Sequence, residues 1–311
     1  MKKLYFITNL HSGKATTASK LGMVIDRFTA AGFEVTVRPT QDRMDASAAA
    51  EYACGQGFDL IVCSGGDGTL NEVIQGVMRS ESRLPIGYLP SGSTNDFAKS
   101  MDIPTNIEAA VEAVIQGRPI SCDIGSLNSR YFTYIAAFGA FIEVTYETSQ
   151  NVKNVLGHAA YILSGIAKLK KIRSYHVKVT AADIEIEDNF IFGMVTNSSS
   201  VAGILSLGDF LCDDGLYEVT LIKTPANPVE LQRIIHGLMN LDEELDSRYI
   251  ISFKASKITF ECEEELNWTA DGEFGGKFKK AEIVNNNKAV EIITLPKDVE
   301  ISEQTDLIVK K

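Results

Sequence analysis

Strand-like and helix-like segments alternate through the first 125 residues, and this alternation narrows the fold more than any other feature of the chain. Short apolar or β-branched runs predict strands, whereas apolar residues that recur every three or four positions predict helices. Strands separated by helices pair in parallel, with helices on both faces of the sheet. The predicted strands are 3–8, 33–37, 59–63 and 85–89, and the predicted helices are 15–31, 45–54, 70–78 and 107–116. The sequence therefore predicts an α/β domain with a parallel sheet over residues 1–125.

The pattern changes after Asp123, where strand-like segments follow one another with short polar turns between them. The predicted strands are 131–137, 175–180, 190–196, 217–222, 250–253, 257–262, 279–284 and 289–293. Helical spacing interrupts them near 154–171 and 228–239. This arrangement is typical of a mostly antiparallel β domain, which we expect over residues 126–296. The charged tail, residues 297–311, leaves open a return to the first domain.

The net charge of the chain argues against some classes of binding partner. The formal net charge is −11, whereas proteins whose main partner is nucleic acid carry an excess of Lys and Arg. No apolar run approaches the ~20 residues that span a bilayer, and the polar start does not resemble a signal peptide. Five scattered cysteines without a CxxC pair are typical of reduced thiols. We therefore expect a cytoplasmic protein that binds no nucleic acid and touches a membrane only locally.

A basic cluster offers one place for such a local contact. Lys168, Lys170, Lys171 and Arg173 lie at the end of the apolar segment 155–172. Cations at the C-terminus of a helix complement its dipole. We prefer that interpretation to membrane docking.

The sharpest local feature is a glycine-rich turn between a predicted strand and a predicted helix. It reads Gly65-Gly66-Asp67-Gly68-Thr69-Leu70-Asn71-Glu72. Glycines let backbone N–H groups approach an anion, and a helix N-terminus adds favourable potential. Asp67 would repel phosphates unless a magnesium ion lay between them. The turn matches neither a Walker A loop nor GxGxxG, so a simple tight connection is the alternative interpretation.

Two further polar loops follow predicted strands of the same domain. Residues 9–14 (Asn-Leu-His-Ser-Gly-Lys) follow the first strand, and residues 90–97 (Pro-Ser-Gly-Ser-Thr-Asn-Asp-Phe) follow the fourth. Ligands of parallel α/β sheets bind at the carboxyl ends of the strands, so three such loops predict a shared nucleotide-binding edge. Alternatively, Ser93 or Asn95 caps the short helix that follows.

These loops resemble motifs of the diacylglycerol kinase catalytic family, which includes sphingosine and ceramide kinases. Residues 65–72 resemble its GGDGTxNE signature, residues 9–13 resemble NPxSG with Leu10 in place of proline, and residues 90–96 resemble PxGTxND with Ser93 in place of threonine. Residues 123–125, 212–215 and 270–276 resemble later segments of soluble bacterial members. The ordered set is more specific than GGDGT alone, because NAD kinases and phosphofructokinases carry similar loops.

The resemblance implies an NAD-kinase-like α/β domain and a β-sandwich domain, with ATP in a cleft between them. The residues implied to surround ATP are Asn9, Ser12, Gly13, Thr40, Gly65, Gly66, Asp67, Gly68, Thr69, Leu70, Asn71, Glu72, Ser93 and Asn95. The resemblance also implies a structural magnesium, held by the Asp214 side chain and the carbonyl oxygens of Leu211 and Leu216. An ordinary hairpin turn is the alternative for that segment.

The Asp-Gly-Glu segment at 271–273 supplies two carboxylates around one glycine. Phosphoryl transfer requires alignment, charge neutralisation and a carboxylate near the attacking hydroxyl. The resemblance implies that Glu273 accepts the hydroxyl proton and that Asp271 either orients Glu273 or holds magnesium on the phosphates. It also implies that Asp67 binds the catalytic magnesium and positions the γ-phosphoryl group. Taken alone, Asp-Gly-Glu is a common exposed turn.

The expected activity is transfer of the γ-phosphoryl group of ATP to a lipid hydroxyl, with diacylglycerol as the default acceptor. Sphingoid bases, polyprenols and phosphatidylglycerol are alternative acceptors, and the rivals are an NAD kinase-like enzyme or a non-catalytic lipid- or nucleotide-binding protein. Aromatic residues near 131–141 would suit an acyl channel, although strand aromatics belong more often to a core. A lipid acceptor implies peripheral association with the inner face of the membrane. The sequence is compatible with a homodimer.

Overall fold

The computed structural model describes residues 1–12, 16–93, 95–139, 173–197, 213–239 and 248–295. The chain divides into two compact units, Met1–Ile120 together with Val290–Lys311, and Ser121–Ala289. Strands predominate among the described elements, and the predicted mixture of helices and strands is confirmed. The predicted helix near 154–171 and the tail 297–311 lie outside the described residues.

The first unit alternates strands and helices in the predicted order. Its elements are β1 (Lys2–Thr8), α1 (Thr16–Ala30), β2 (Phe33–Pro39), α2 (Asp45–Cys54), β3 (Leu60–Gly65), α3 (Asp67–Arg79), β4 (Ile86–Pro90), α4 (Asp96–Ser100) and α5 (Ile107–Gln116). Helices α2 and α5 have the predicted limits. Helix α3 begins before the predicted start at Leu70, so that Asp67, Gly68 and Thr69 form its first turn.

The strands of this unit pair in parallel, β1 with β2 and β3, and β3 with β4. Successive side chains of a strand point to opposite faces. One core cluster accordingly joins Leu4 and Phe6 of β1 and Leu60 and Val62 of β3 to α1 and α5. Helices α2 and α3 pack against each other and against β1 and β3. All six residues of β3 are buried as a result.

The second unit is rich in strands. Its elements, two of which cross into the first unit, are β5 (Arg118–Leu127), β6 (Arg130–Phe132), β7 (Ile135–Gly139), β8 (Tyr175–Ala181), β9 (Ile184–Thr196), β10 (Tyr217–Lys223), α6 (Pro228–Met239), β11 (Ile250–Ala255), β12 (Lys257–Ala270) and β13 (Glu273–Thr294). The strands lie in the order β11-β10-β9-β7-β12-β13, with β8 beside β9 and β12. The pairings within this order are antiparallel, as the turn-rich sequence predicts.

Aromatic side chains form the centre of the second unit. The ring of Phe138 lies 5.0 Å from that of Trp268 and 5.7 Å from that of Phe260, and all three side chains are fully buried. Phe132 is also fully buried, against Tyr217. The core interpretation is therefore confirmed for Phe132 and Phe138.

The end of β13 belongs to the first unit. Ile292 lies opposite Ile86 of β4 in parallel pairing, and Ile293 lies opposite Gly87. Ile292 is fully buried. A strand from the last part of the chain therefore completes the sheet of the first unit.

The prediction of two strands joined by a turn at 285–287 is wrong, because β13 runs through that segment. Asparagine favours turns when its amide bonds to nearby backbone. Here the amides bond to β5 instead: Asn285 and Asn287 donate to the Asp123 carboxylate, and Asn286 donates to the carbonyl oxygen of Ile124. The strand continues because these side chains find partners far away in sequence.

Candidate active site

The carboxyl ends of four parallel strands lie at one edge of the first unit's sheet. Thr8 at the end of β1 lies opposite Pro39 of β2 and Ser64 of β3, and Gly65 lies opposite Pro90 of β4. The loops that follow begin at Asn9, Thr40, Gly66 and Ser91. The edge that the three sequence motifs predict is therefore present.

Asn9 joins the first loop to the glycine-rich turn. Its backbone N–H donates to the carbonyl oxygen of Ser64 at 2.8 Å, and its Nδ2 donates to Oγ1 of Thr69 at 3.3 Å. Its Oδ1 accepts from the N–H of His11 at 3.0 Å. Both ends of the amide thus fix loop geometry. Thr40 is held at the same edge, since its N–H donates to the carbonyl oxygen of Thr8 at 2.9 Å.

Ser91 joins the other two motif loops to each other. Its N–H donates to the carbonyl oxygen of Gly65 at 2.8 Å, and its hydroxyl lies 2.8 Å from that of Ser12. The hydroxyl of Tyr88 donates to the same Gly65 oxygen at 3.2 Å. Burial raises the pKa of Tyr88, which keeps the hydroxyl protonated as a donor.

Gly92 and Gly65 each stand where a side chain would collide with a neighbour, Gly66 of another loop in the first case and Thr69 of the same turn in the second. A Cβ on Gly92 would lie 2.5 Å from Cα of Gly66, closer than Cβ atoms approach backbone in proteins. A Cβ on Gly65 would lie 2.4 Å from Cβ of Thr69. Neither Gly65 nor Gly66 has a positive φ. Close approach, and not an unusual backbone conformation, is therefore what these positions require.

Asp67 links the glycine-rich turn to helix α4. Its Oδ2 accepts from the N–H of Asp96 and its Oδ1 from the N–H of Phe97, both at 3.1 Å. A carboxylate carries about four lone-pair sites, so two amide bonds are compatible with a magnesium ion. Magnesium takes one or two carboxylates and otherwise water or phosphate oxygens. The Asp67 carboxylate therefore keeps lone pairs that can bind the predicted magnesium ion.

The other residues that were predicted to surround ATP differ in their exposure. Gly68 and Ser93 are exposed, whereas Asn71 and Glu72 are half-buried on α3. Leu70 is buried in the core, and its N–H donates to the carbonyl oxygen of Gly66 within the helix, so both its side chain and its N–H are already engaged within the first unit.

Asn95 braces its own loop. Its Oδ1 accepts from the N–H of Gly92 at 2.8 Å, and its Nδ2 donates to the Gly92 carbonyl oxygen at 3.0 Å. Asn95 adopts a φ of 52°, which asparagine tolerates better than most residues. Gly13 lies outside the described residues.

In the second unit, Asp271 and Gly272 form a two-residue hairpin between β12 and β13, with Ala270 opposite Glu273. Their φ angles are 50° and 79°. Hairpins of this kind require positive φ at both positions, which is why Asp-Gly favours them. The tripeptide is therefore a strand connection that places Glu273 as the first residue of β13.

The Asp271 carboxylate holds the chain before β7. It accepts from the N–H and hydroxyl of Thr133 at 2.7 and 2.9 Å, from the N–H of Tyr134 at 2.9 Å, and from the N–H of Ile135 at 3.2 Å. Burial raises the pKa of Asp271, while these hydrogen bonds act in the opposite direction. These four donors hold the Asp271 carboxylate against the chain at Thr133–Ile135, which favours the predicted alternative in which Asp271 orients Glu273.

Glu273 is more accessible than Asp271. Its side chain is 51% exposed and pairs with Nη2 of Arg130 at 2.8 Å. Nη1 of Arg130 donates to the carbonyl oxygen of Phe274, also at 2.8 Å. No local sequence pattern signals Arg130, because 143 residues separate it from Glu273.

The predicted structural magnesium site at Asp214 stays a prediction. Asp214 accepts from the N–H of Leu216 at 3.0 Å, and its second oxygen lies 3.9 Å from Nζ of Lys254. Leu211 lies outside the described residues, so the predicted set of three ligands includes one that the structure does not describe.

Asp123 organises the turn at Asp214 without being an expected site residue. Its Oδ2 accepts from the N–H of Gly215 at 2.7 Å and from Nδ2 of Asn285 at 3.2 Å. Its Oδ1 accepts from Nδ2 of Asn287 at 3.0 Å and from the N–H of Lys288 at 2.7 Å. Its place in the Asp-Ile-Gly motif was the available signal. Fully satisfied, this buried carboxylate ties three segments of the second unit together.

Comparison with protein families matches residues 3–127 to the diacylglycerol kinase catalytic domain. Two curated relatives match along almost the whole chain. The diacylglycerol kinase of Staphylococcus carnosus is 33% identical over 303 residues, covering 97% of this chain and 98% of the relative. The diacylglycerol kinase of Bacillus subtilis is 33% identical over 308 residues, covering 98% and 100%.

Solved structures of similar fold carry the same description, diacylglycerol kinase, as the sequence relatives. A crystal structure of a candidate diacylglycerol kinase from Bacillus anthracis superposes with a TM-score of 0.76 and 26% identity, covering 95% of this chain and 98% of that one. Another from the same organism gives 0.77 and 25%, covering 96% and 99%.

Proposed function

The chain belongs to the diacylglycerol kinase catalytic family and is a lipid kinase, and we propose that it transfers the γ-phosphoryl group of ATP to the hydroxyl of diacylglycerol. The products would be ADP and phosphatidic acid. We also propose that membrane contact is peripheral. No helix in the described part of the chain is long and apolar enough to cross a membrane.

One observation carries the nucleotide part of this proposal: the three motif loops are joined to one another at the carboxyl edge of the sheet. Gly66 touches Gly92, Ser12 meets Ser91, and helix α3 starts in the middle of the edge. The first N–H groups of a helix have no intrahelical acceptor, and the helix dipole adds positive potential there. Such an edge suits the phosphates of a nucleotide.

The proposed roles follow from what each residue offers. The N–H groups of the first turn of α3 bind phosphate oxygens, and Ser12 and Ser93 contact the nucleotide through neutral hydrogen bonds. Magnesium bound with ATP would neutralise charge on the β- and γ-phosphates, and Asp67 would hold it. The hydrogen bonds from the N–H groups of Asp96 and Phe97 would hold the Asp67 carboxylate in place for that role.

Glu273 is the proposed general base. Its carboxylate takes the proton of the lipid hydroxyl as the hydroxyl oxygen forms a bond to the γ-phosphorus and the bond to the ADP oxygen breaks. Its exposure makes it the accessible carboxylate of the Asp-Gly-Glu hairpin. Asp271, whose oxygens are bound by the chain at Thr133–Ile135, is proposed to fix the hairpin.

A radiolabelled-ATP assay tests this function. Lipid hydroxyls in mixed micelles (diacylglycerol, a sphingoid base, a polyprenol and phosphatidylglycerol) are offered separately, with NAD as a soluble acceptor. We expect label in phosphatidic acid and faster transfer to diacylglycerol than to the others. Preferred labelling of another lipid would change the acceptor, and labelling of NAD alone would overturn the lipid assignment.

Glu273→Gln tests the base. A positioned base contributes about 10²–10⁴-fold, so kcat should fall by that order while ATP affinity, measured by calorimetry, stays near the wild-type value. Glu185→Gln is the matched control, because Glu185 is an exposed glutamate in a comparable ion pair with Lys178. Wild-type turnover in Glu273→Gln would move the role to another carboxylate.

A further inference from the structure

A short segment of the second unit, residues 130–135, forms hydrogen bonds with both carboxylates of the Asp-Gly-Glu hairpin. Arg130, at the start of β6, holds Glu273, and three residues further along the chain Thr133 begins the set of donors that holds Asp271. The Asp-Gly-Glu hairpin therefore does not stand alone, and its orientation depends on the chain from 130 to 135.

The backbone beneath Arg130 is anchored to the strand that carries Glu273. Leu127 pairs with Arg130 across a tight turn in which Asn128 has a φ of 51°. The N–H of Asn128 donates to the carbonyl oxygen of Glu282, and its Oδ1 accepts from the N–H of Glu282, both at 2.8 Å. Arg130 thus reaches Glu273 from a base fixed on β13 itself.

The ion pair between Arg130 and Glu273 is better suited to orienting a side chain than to stabilising the fold. Exposed ion pairs contribute little to folding, and the side chains of Glu273 and Arg130 are 51% and 28% exposed. The guanidinium is a planar fork, and here its two nitrogens hold the Glu273 carboxylate and the Phe274 carbonyl oxygen together. This fixes the carboxylate relative to the backbone of its own strand.

We propose that Arg130 is a positioning residue that orients the Glu273 carboxylate for proton transfer from the lipid hydroxyl, an inference that rests on the proposed function. A carboxylate can accept several hydrogen bonds, so the arginine and the hydroxyl can bind it together. Without the fork, the flexible Glu273 side chain would spend most of its time in unproductive rotamers.

The test compares Arg130→Ala and Arg130→Lys with the wild-type full chain. We expect Arg130→Ala to lower kcat about 10- to 100-fold, since a displacement near 1 Å costs about that much, with KM for ATP changed less than about twofold. Lys supplies one compact ammonium and cannot make both bonds in the same plane, so Arg130→Lys should fall between. Arg27→Ala, which breaks the exposed pair with Glu112, is the control and should keep wild-type kcat.

Two further readouts separate positioning from a structural role. Guanidinium ion added at millimolar concentration should restore kcat of Arg130→Ala several-fold and leave Arg27→Ala unchanged. In the Glu273→Gln background, Arg130→Ala should lower kcat by less than about twofold, because residues that act as a unit are not additive. Melting temperatures should match that of the wild type.

The outcomes are decisive in each direction. Wild-type kcat in Arg130→Ala, absence of guanidinium rescue, or a full additional loss in the Glu273→Gln background would overturn the role of Arg130. If Arg130→Ala does not fold, Arg130→Lys decides: reduced kcat at an unchanged melting temperature supports the role, and wild-type kcat overturns it. Failure of the proposed function is distinct, because the wild type itself would then phosphorylate no lipid.

Discussion

At the scale of single residues, the close contact between Gly66 and Gly92 constrains the loops at the carboxyl edge of the first unit's sheet. Gly92→Ala would place a methyl group 2.5 Å from Cα of Gly66 and 2.8 Å from Oδ1 of Asn95. Backbone cannot move aside cheaply, so we expect the free energy of unfolding to fall by about 1–3 kcal/mol. ATP affinity should fall with it because the loops separate. Urea denaturation and calorimetry measure the two effects.

Gly22→Ala is the control for that substitution. Gly22 is exposed on α1, and a Cβ there meets no atom within 4 Å. Alanine favours a helix over glycine by about 1 kcal/mol, so this variant should be slightly more stable and bind ATP normally. A Gly92→Ala protein with wild-type stability and ATP affinity would contradict the close-contact account.

Asp271 and Glu273 should respond differently to the loss of a charge. Asp271→Asn leaves one acceptor oxygen for four donors and turns an NH₂ group toward N–H groups. We expect the free energy of unfolding to fall by about 2–3 kcal/mol, as measured by urea denaturation. Glu273→Gln should leave it within about 0.5 kcal/mol. Equal stability of the two variants would show that Asp271 does not brace the hairpin.

The sequence predicted where the motif loops lie better than what their polar side chains contact. The loops after β1, β3 and β4 are local motifs, and parallel pairing brings their starts to one edge. The partners of the polar side chains are distant in sequence: Asp67 binds the N–H groups of Asp96 and Phe97, and Arg130 binds Glu273. No local pattern encodes such contacts, so the hydrogen bonds from Asp67 to helix α4 and the ion pair of Arg130 were not predicted.

At the scale of elements, Asp45 connects helix α2 to the loop after β2. Its Oδ2 accepts from the N–H of Gln41, and its Oδ1 accepts from Nη2 of Arg38, both at 2.9 Å. The Gln41 hydrogen bond, followed by the Arg38 contact, lowers the pKa of Asp45. This contribution to stability is present above the ordinary aspartate pKa near 3.9 and is lost as the pH falls through the lower folded-state value.

Asp45→Asn should therefore lower the free energy of unfolding by about 1 kcal/mol at pH 7. The difference from the wild type should shrink as the pH is lowered toward about 2. Urea denaturation at several pH values measures this. Asp26→Asn, at an exposed position on α1, should show little difference at any pH. A difference for Asp45→Asn that does not depend on pH would exclude the charge as its cause.

Elements whose pattern is local were predicted more closely than those held by distant contacts. Helices α2, α5 and α6 have the predicted limits because spacing and end signals lie within each segment. Strand β5 was missed, and β13 was divided in two. Residues Asn285–Asn287 were predicted to form a turn, whereas in the structure their amides bond to Asp123 and Ile124 of β5.

At the scale of the whole molecule, the end of β13 is needed by the first unit. Ile292 is fully buried beside β4. Truncating a buried isoleucine to alanine costs about 2–5 kcal/mol, so Ile292→Ala should lower the free energy of unfolding by that amount in urea denaturation. Ile251→Ala on β11, where the side chain is half-buried, should cost less. A smaller loss for Ile292 than for Ile251 would contradict the structural role of the returning strand.

The late position of this strand also affects how the protein is made. Residues 3–127 contain the family's catalytic domain, yet the strand beside β4 is translated only after residue 290. At about 5–20 residues per second, the ribosome needs on the order of ten seconds or more to synthesise the intervening chain. During that interval the edge of β4 lacks its partner and is open to wrong pairing. Newborn chains should therefore depend on chaperones until the strand that pairs with β4 has been synthesised.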